Sequence, residues 1–205
     1  MSLQKMTRVL IGCEESGKIR RACRALGLEA WSNDLLPPRD GSEYHLQMDV
    51  HDAIDEGNWD YIIVHPECTE MAVCGNRTYA GTQARAEAIE WTLRLWFHVK
   101  DAAKKGCALE NPASVIWPHI RPFCDQVQFV QPHMFGHLET KKTGFALHKL
   151  PPLIATNDVY EEMIALPQKE RERIFRMPPG PNRKRDRSET FEGIAKAIAE
   201  QWCAA

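Results

Sequence analysis

The sequence predicts an α/β domain in three layers, built on a largely parallel, doubly wound sheet. Three observations carry that prediction. Strand-like and helix-like stretches alternate from the start, in Thr7–Gly12, Lys18–Leu26 and Leu28–Ser32. Tyr61–Val64 and Cys107–Leu109 are short apolar runs that read as buried strands. Cys68 and Glu110, two residues able to do chemistry, follow those runs at the strand ends where open α/β sheets bind ligands.

The chain has 205 residues, 43% of them hydrophobic, enough for one sizeable core, so a single domain over residues 1–205 is expected. The formal charge of -2 and the pI near 6.4 announce no global basic field, and any polyanion has to be met by a local patch. Seven cysteines without a metal-type CxxC pair, and without a signal peptide, point to a reduced, cytoplasmic protein. No apolar run approaches the roughly 18 residues of a membrane span, so no membrane partner is expected.

Thr7–Gly12 reads as the first strand and Gly12–Gly17 as a turn with glycine at both ends. Ile19, Ala22, Cys23 and Leu26 give Lys18–Leu26 a helical period, and Gly27 caps it. Leu28–Ser32 is the second strand and ends on Asn33 and Asp34, an acidic position suited to ribose hydroxyls of a nucleoside-type cofactor. The glycine spacing is not that of the dinucleotide fingerprint. After the Pro37–Ser42 loop, Tyr44–Val50 reads as a third strand and Asp52–Gly57 as a linker or short helix. Tyr61–Val64 is ended by His65 and Pro66, since proline cannot donate to a ladder. The polar Thr69–Thr82 stretch is a candidate mobile flap. Gln83–Lys105 is the longest helix, with Ala88, Trp91, Leu95 and Val99 on one face, and Gly106 stops it.

Cys107–Leu109 follows as a strand, Pro118–Phe123 as a short helix, and Gln126–Gln131 and Thr143–Leu147 as strands around a Pro132–Lys142 loop. Two proline clusters, Pro151–Pro152 and Pro178–Pro181, bracket a helical Pro167–Phe175. Asn182–Arg187 is the one concentrated basic run, and Ser188–Cys203 closes the chain as a helix carrying Phe191, Ile194, Ile198 and Trp202. His65, Cys68 and Cys74 are too irregularly spaced to read as zinc ligands, so no metal is expected.

The order and content of these loops resemble the DNA cytosine-5 methyltransferase family, in particular its compact phage and prophage members. That family has a glycine-containing turn after its first strand, an acidic residue after the second and an aspartate after the third. It has Pro-Pro-Cys after the fourth strand and Glu-Asn-Val after the fifth. Here those places hold Gly12–Gly17, Asn33-Asp34, Asp49, Pro66-Glu67-Cys68 and Glu110-Asn111-Pro112. Phe135–Thr143 is similar to the family's Tyr-Gly-x-Pro-Gln-x-Arg-x-Arg stretch, and Arg187–Gln201 to the helix that closes its cofactor pocket. The resemblance covers nearly the whole chain and implies a Rossmann-like fold of the S-adenosylmethionine-dependent methyltransferase type.

It also implies roles. Cys68 is the nucleophile that adds to cytosine C6, and Glu110 holds the N3/N4 edge and donates to N3. The Gly12–Gly17 turn, with Gly12, Cys13, Glu14, Ser16 and Gly17, lies along the methionine part of S-adenosylmethionine, with Pro66 beside it. Asp34 takes the ribose hydroxyls, Asp49 the adenine amino group, and Ser188 and Thr190 the methionine end. Asn111, Lys141, Thr143 and Arg185 are the candidate contacts to a cytosine-containing DNA, duplex or single-stranded. Three departures stand out. Glu67 replaces the second proline, Lys141 and Thr143 stand where two arginines are usual, and the stretch from Leu153 to Arg187 is too short for a target-recognition domain. The protein therefore methylates DNA with little sequence preference, borrows specificity from a partner or a second copy, or acts on a free or single-stranded nucleotide. A cofactor-binding module with lost chemistry, and an unrelated nucleotide-dependent α/β enzyme, are the readings from other classes.

Overall fold

The computed structural model describes residues 6–205; Met1-Ser2-Leu3, which carry no part of the argument, lie outside them. The elements run β1 (Arg8–Gly12), α1 (Lys18–Ala25), β2 (Glu29–Asp34), β3 (His45–Gln47), α2 (Val50–Glu56), β4 (Tyr61–Val64), α3 (Asn76–Tyr79), α4 (Gln83–Ala102), β5 (Gly106–Pro112), α5 (Ile116–Ile120), β6 (Gln126–Val130), β7 (Thr143–His148), α6 (Tyr160–Ala165), α7 (Gln168–Arg171), α8 (Arg183–Ser188) and α9 (Glu192–Ile198). The seven strands form one sheet in the order β3-β2-β1-β4-β5-β7-β6. β1 pairs in parallel with β2 and β4, β2 with β3, and β4 with β5, whereas β7 runs antiparallel to both β5 and β6. The doubly wound, largely parallel sheet expected from the sequence is present.

Strand alternation builds two cores from one run of apolar residues. Val9, Ile11, Ile63 and Ala108 face Ile19 of α1 and Ile194 and Ile198 of α9. Leu10, Ile62, Val64, Cys107 and Leu109 face Ile54 of α2 and Leu95, Trp96 and Val99 of α4. Strands covered on both faces have to be apolar at every position, which is why β4 is buried throughout. The winding reverses between β1 and β4, so a crevice opens at the C-terminal ends of those strands.

Several boundaries move from their sequence-based positions. The third strand is only His45–Gln47, because Asp49 already caps α2, its Oδ1 accepting from the His51 amide at 2.8 Å. The long helix stops at Ala102, whose following residue turns extended, and Gly106 begins β5 instead of ending the helix. The Thr69–Thr82 stretch is no loose flap. Met71 is fully buried, Val73 N donates to Ala113 O, and Arg85 reaches Glu70 O at 2.7 Å and Asn76 Oδ1 at 2.8 Å. The bracketed helical stretch is α7 alone, preceded by α6. The basic run forms α8, and the terminal helix begins at Glu192 and widens into a π turn over Ala199–Cys203. Among the described residues no helix is long and apolar enough to cross a membrane.

Arg20 of α1 is 1% exposed, and it pairs with Asp40 and with Ser32 Oγ. Burial raises the Asp40 carboxyl, but hydrogen bonds and charge from Arg20 and Arg21 outweigh it and hold it at about 2. Asp40→Asn is expected to cost ~2 kcal/mol, less than a fully buried pair because Asp40 reaches solvent. A depressed folded value means that the stabilisation is complete above the unfolded value of ~4 and fades as pH falls toward about 2. Urea melts of both proteins at pH 7 and pH 2.5 should therefore differ clearly at the first and little at the second.

Candidate active site

The loop after β4 is shaped by its own carboxylate. Glu67 Oε1 accepts from the amides of Cys68 and Thr69, both at 3.1 Å, and from Thr69 Oγ1 at 2.6 Å. Cys68 O in turn accepts from Met71 N and Ala72 N, closing the turn. The second oxygen of Glu67 pairs with Lys184 of α8. Burial raises the Glu67 carboxyl, but the Lys184 and Thr69 contacts prevail and lower it. Glu67 thus acts as a capping group for the loop and a tether for α8.

Glu110 lies in β5 opposite Phe145 of β7, with its side chain 17% exposed. Its Oε2 is 3.3 Å from His65 Nδ1. Asn111 is fully buried and donates to Pro66 O at 3.4 Å, while its Oδ1 has no partner among the described residues. Lys141 enters from the loop before β7, its Nζ donating to Glu189 O at 3.1 Å. Burial pulls its ammonium down, against the charge of Glu110. Glu110, Lys141, Thr143 and Phe145 line a narrow pocket with Ser188, Thr190, Phe191 and Ile194. The Cys68 thiol feels the same groups. Burial, then Glu110 and Glu67, push it up to about 12, with Lys141 opposing. In the free protein Cys68 is therefore a thiol, and an electrophile or cation beside it has to draw out the thiolate.

The turn after β1 forms the neighbouring half of the crevice. Gly12 is required there: a Cβ would lie 2.8 Å from Val50 and 3.0 Å from Val64. Cys13 (φ 57°) and Gly17 (φ 70°) are left-handed and swing the chain into α1. Glu14 is buried, with Oε1 taking the Ser16 hydroxyl and the Lys18 amide and Oε2 without a partner among the described residues. Asn33, fully buried, donates to Leu46 O and Met48 O at 2.9 Å and leaves Oδ1 without a partner among the described residues. Asp34 closes β2, its carboxyl raised chiefly by burial, and the Cys13 thiol is raised by burial and by Asp34, Asp49 and Glu67. Free acceptor oxygens on Glu14 and Asn33 beside an acidic strand edge suit a ligand that brings an ammonium group and hydroxyls. The turn before α1 and the linker between α8 and α9 are tied across this edge by Arg39, which meets Glu15 at 2.6 Å and Glu189 at 3.5 Å.

The residues singled out in the sequence thus fall into two groups. Glu110, Lys141, Thr143, Ser188 and Thr190 line the pocket, Cys68 is close enough for Glu110 and Lys141 to act on its thiol, and Asn111 is held to Pro66; Gly12, Cys13, Glu14, Ser16 and Gly17 belong to the turn after β1, Asp34 ends β2 and Pro66 follows β4. Asp49 is exposed and occupied in capping α2. The Arg185 side chain is half-exposed and turns to Asp186 at 3.2 Å. His65, read in the sequence as the residue that ends a strand, is the group that touches Glu110. Lys184 is the partner of Glu67. Among the described residues no group of three or more His, Cys, Asp or Glu side chains is placed to hold a metal ion.

The architecture is a Rossmann-like fold that methyltransferases of known structure share. The Dnmt2 methyltransferase of S. pombe superimposes with a TM-score of 0.50 at 16% identity, over 80% of this chain and 56% of that one. The methyltransferase EhMeth of Entamoeba histolytica gives 0.53 at 12% identity, over 76% of this chain and 58% of that one. At such identities the likeness is one of fold. The alignments cover less than two thirds of either relative. No protein-family model and no curated protein matches the chain.

Proposed function

We propose that this protein transfers a methyl group from S-adenosylmethionine to C5 of cytosine in DNA, through a covalent adduct at Cys68. The observation that carries the reading is the meeting of the Cys68 loop, Glu110 and Lys141 at one strand edge, next to the Gly12–Gly17 turn. S-adenosylmethionine, when bound, supplies an electrophilic methyl on a sulfonium. The unpaired oxygens of Glu14 and Asn33 suit its ammonium and hydroxyl groups, Asp34 its ribose, and Ser188 and Thr190 its carboxylate end. Cys68 adds to C6 and makes C5 nucleophilic, Glu110 protonates N3, and Lys141 offsets negative charge as it develops.

A second substrate is favoured by the short segment between β7 and α8, whose two helices have only six and four residues. Little wall is available for a long duplex, so a single-stranded or free pyrimidine nucleotide fits the same chemistry. The test is to mix protein, S-adenosylmethionine and a 5-fluorocytosine oligonucleotide, single-stranded or duplex, and in parallel 5-fluoro-dCMP. Fluorine blocks the last elimination, so a denaturation-resistant mass adduct at Cys68 is expected with at least one of them. No adduct with any of the three, from protein that binds S-adenosylhomocysteine, would sink this function.

A further inference from the structure

His65 is the first residue beyond β4, and Glu110 sits next to Leu109, the residue paired with Val64. Parallel register therefore places the two side by side at the ligand edge. His65 is fixed by its own backbone: its amide donates to Gly12 O at 2.9 Å and Pro66 follows it, buried. The ring is 10% exposed, with Nδ1 3.3 Å from Glu110 Oε2. Its other nitrogen, Nε2, is buried and has no hydrogen-bond partner among the described residues.

That orphan atom decides the tautomer. A buried N–H without an acceptor is rarer than a buried lone pair without a donor. The ring proton of the neutral imidazole therefore belongs on Nδ1, directed at Glu110 Oε2. A histidine kept only for packing would not need to aim Nδ1 at a carboxyl.

We propose that His65 is a positioning residue for the methyl transfer, donating Nδ1–H to Glu110 Oε2 so that Oε1, which takes up a proton as cytosine binds, faces N3. The inference rests on the function proposed above. As the Cys68 thiol gives up its proton to water and its sulfur bonds to C6, the C5=C6 π pair is displaced into the ring toward N3, and the proton on Glu110 Oε1 moves to N3. The carboxylate left behind keeps the His65 hydrogen bond, now charge-assisted, so the contact is stronger after proton transfer than before. After methylation the C5 proton leaves to water, the thiolate is expelled and takes a proton back from water, C5=C6 re-forms, and N3 returns its proton to Oε1. His65 keeps its own proton throughout.

Two measurements test this on the full chain. Two-bond proton–nitrogen NMR couplings in the free protein should show His65 as the Nδ1–H tautomer; the Nε2–H tautomer overturns the proposal without touching the methyltransferase reading. Single-turnover trapping of the 5-fluorocytosine substrate should then be compared for wild type, His65→Leu and His65→Asn. His65→Leu should slow adduct formation about 10- to 100-fold at saturating substrate, with substrate and S-adenosylhomocysteine affinities unchanged. His65→Asn, whose amide can donate in place of Nδ1–H, should recover to within about threefold of wild type. Equal slowing by Leu and Asn, or none by Leu, overturns the proposal. A wild type that traps no substrate overturns the function itself, and the positioning role with it.

Discussion

Cys68→Ala is expected to abolish covalent trapping and to lower methyl transfer by at least ~10⁴-fold, because without the sulfur no enamine forms at C5. The side chain is only partly buried, and its loop is held by backbone contacts to Cys68 O and by Glu67. Stability should therefore change by less than ~1 kcal/mol. Intact-protein mass spectrometry with the fluorinated substrate and a thermal melt, run on the same sample, separate lost chemistry from lost fold. Adduct formation by the alanine variant would show that another residue is the nucleophile. Cys74, exposed and six residues on, is then the first to examine.

Glu110→Gln is expected to move two observables in opposite directions. Methyl transfer should fall about 10²- to 10³-fold, since the amide cannot give a proton to N3. Iodoacetamide should meanwhile react faster with Cys68, because Glu110 is, after burial, the largest influence that raises that thiol to about 12. Removing the carboxylate lowers the thiol toward its ordinary range and increases the thiolate fraction at pH 8. A variant that merely disturbed the pocket would not combine faster alkylation with slower transfer. If alkylation is unchanged, Glu110 does not face the sulfur.

The sheet was readable because strands buried on both faces have to be apolar at every position, as Val9–Ile11 of β1 and all of β4 are. Glu110 and Cys68 were readable for the same reason: each follows such a run, and the run fixes the edge. What could not be read depends on partners far away in sequence. Asp49 looked like the end of a strand, but its carboxylate is better spent on the His51 amide, and α2 starts there. α8 was hidden because Arg183–Ser188 has no apolar stripe, and its Lys184 is held by Glu67. His65 read as punctuation because its neighbour across the sheet, Glu110, becomes visible only once β4 and β5 are in register. The antiparallel direction of β7 likewise has no local signature.

The ties from Arg39 and Lys18 to Glu189, and from Glu67 to Lys184, join segments more than a hundred residues apart in the described chain. α9 also packs against α1. The crevice is thus a product of high contact order: its last wall arrives only after α9, far along the chain from β1, has been synthesised. A nascent chain can pair β1, β2 and β4 early, yet it presents an open strand edge and no closed pocket until α9 docks. Ligand affinity should consequently appear as the final event of folding, later than most of the secondary structure, and a ligand that bridges both ends would stabilise the docked state by mass action.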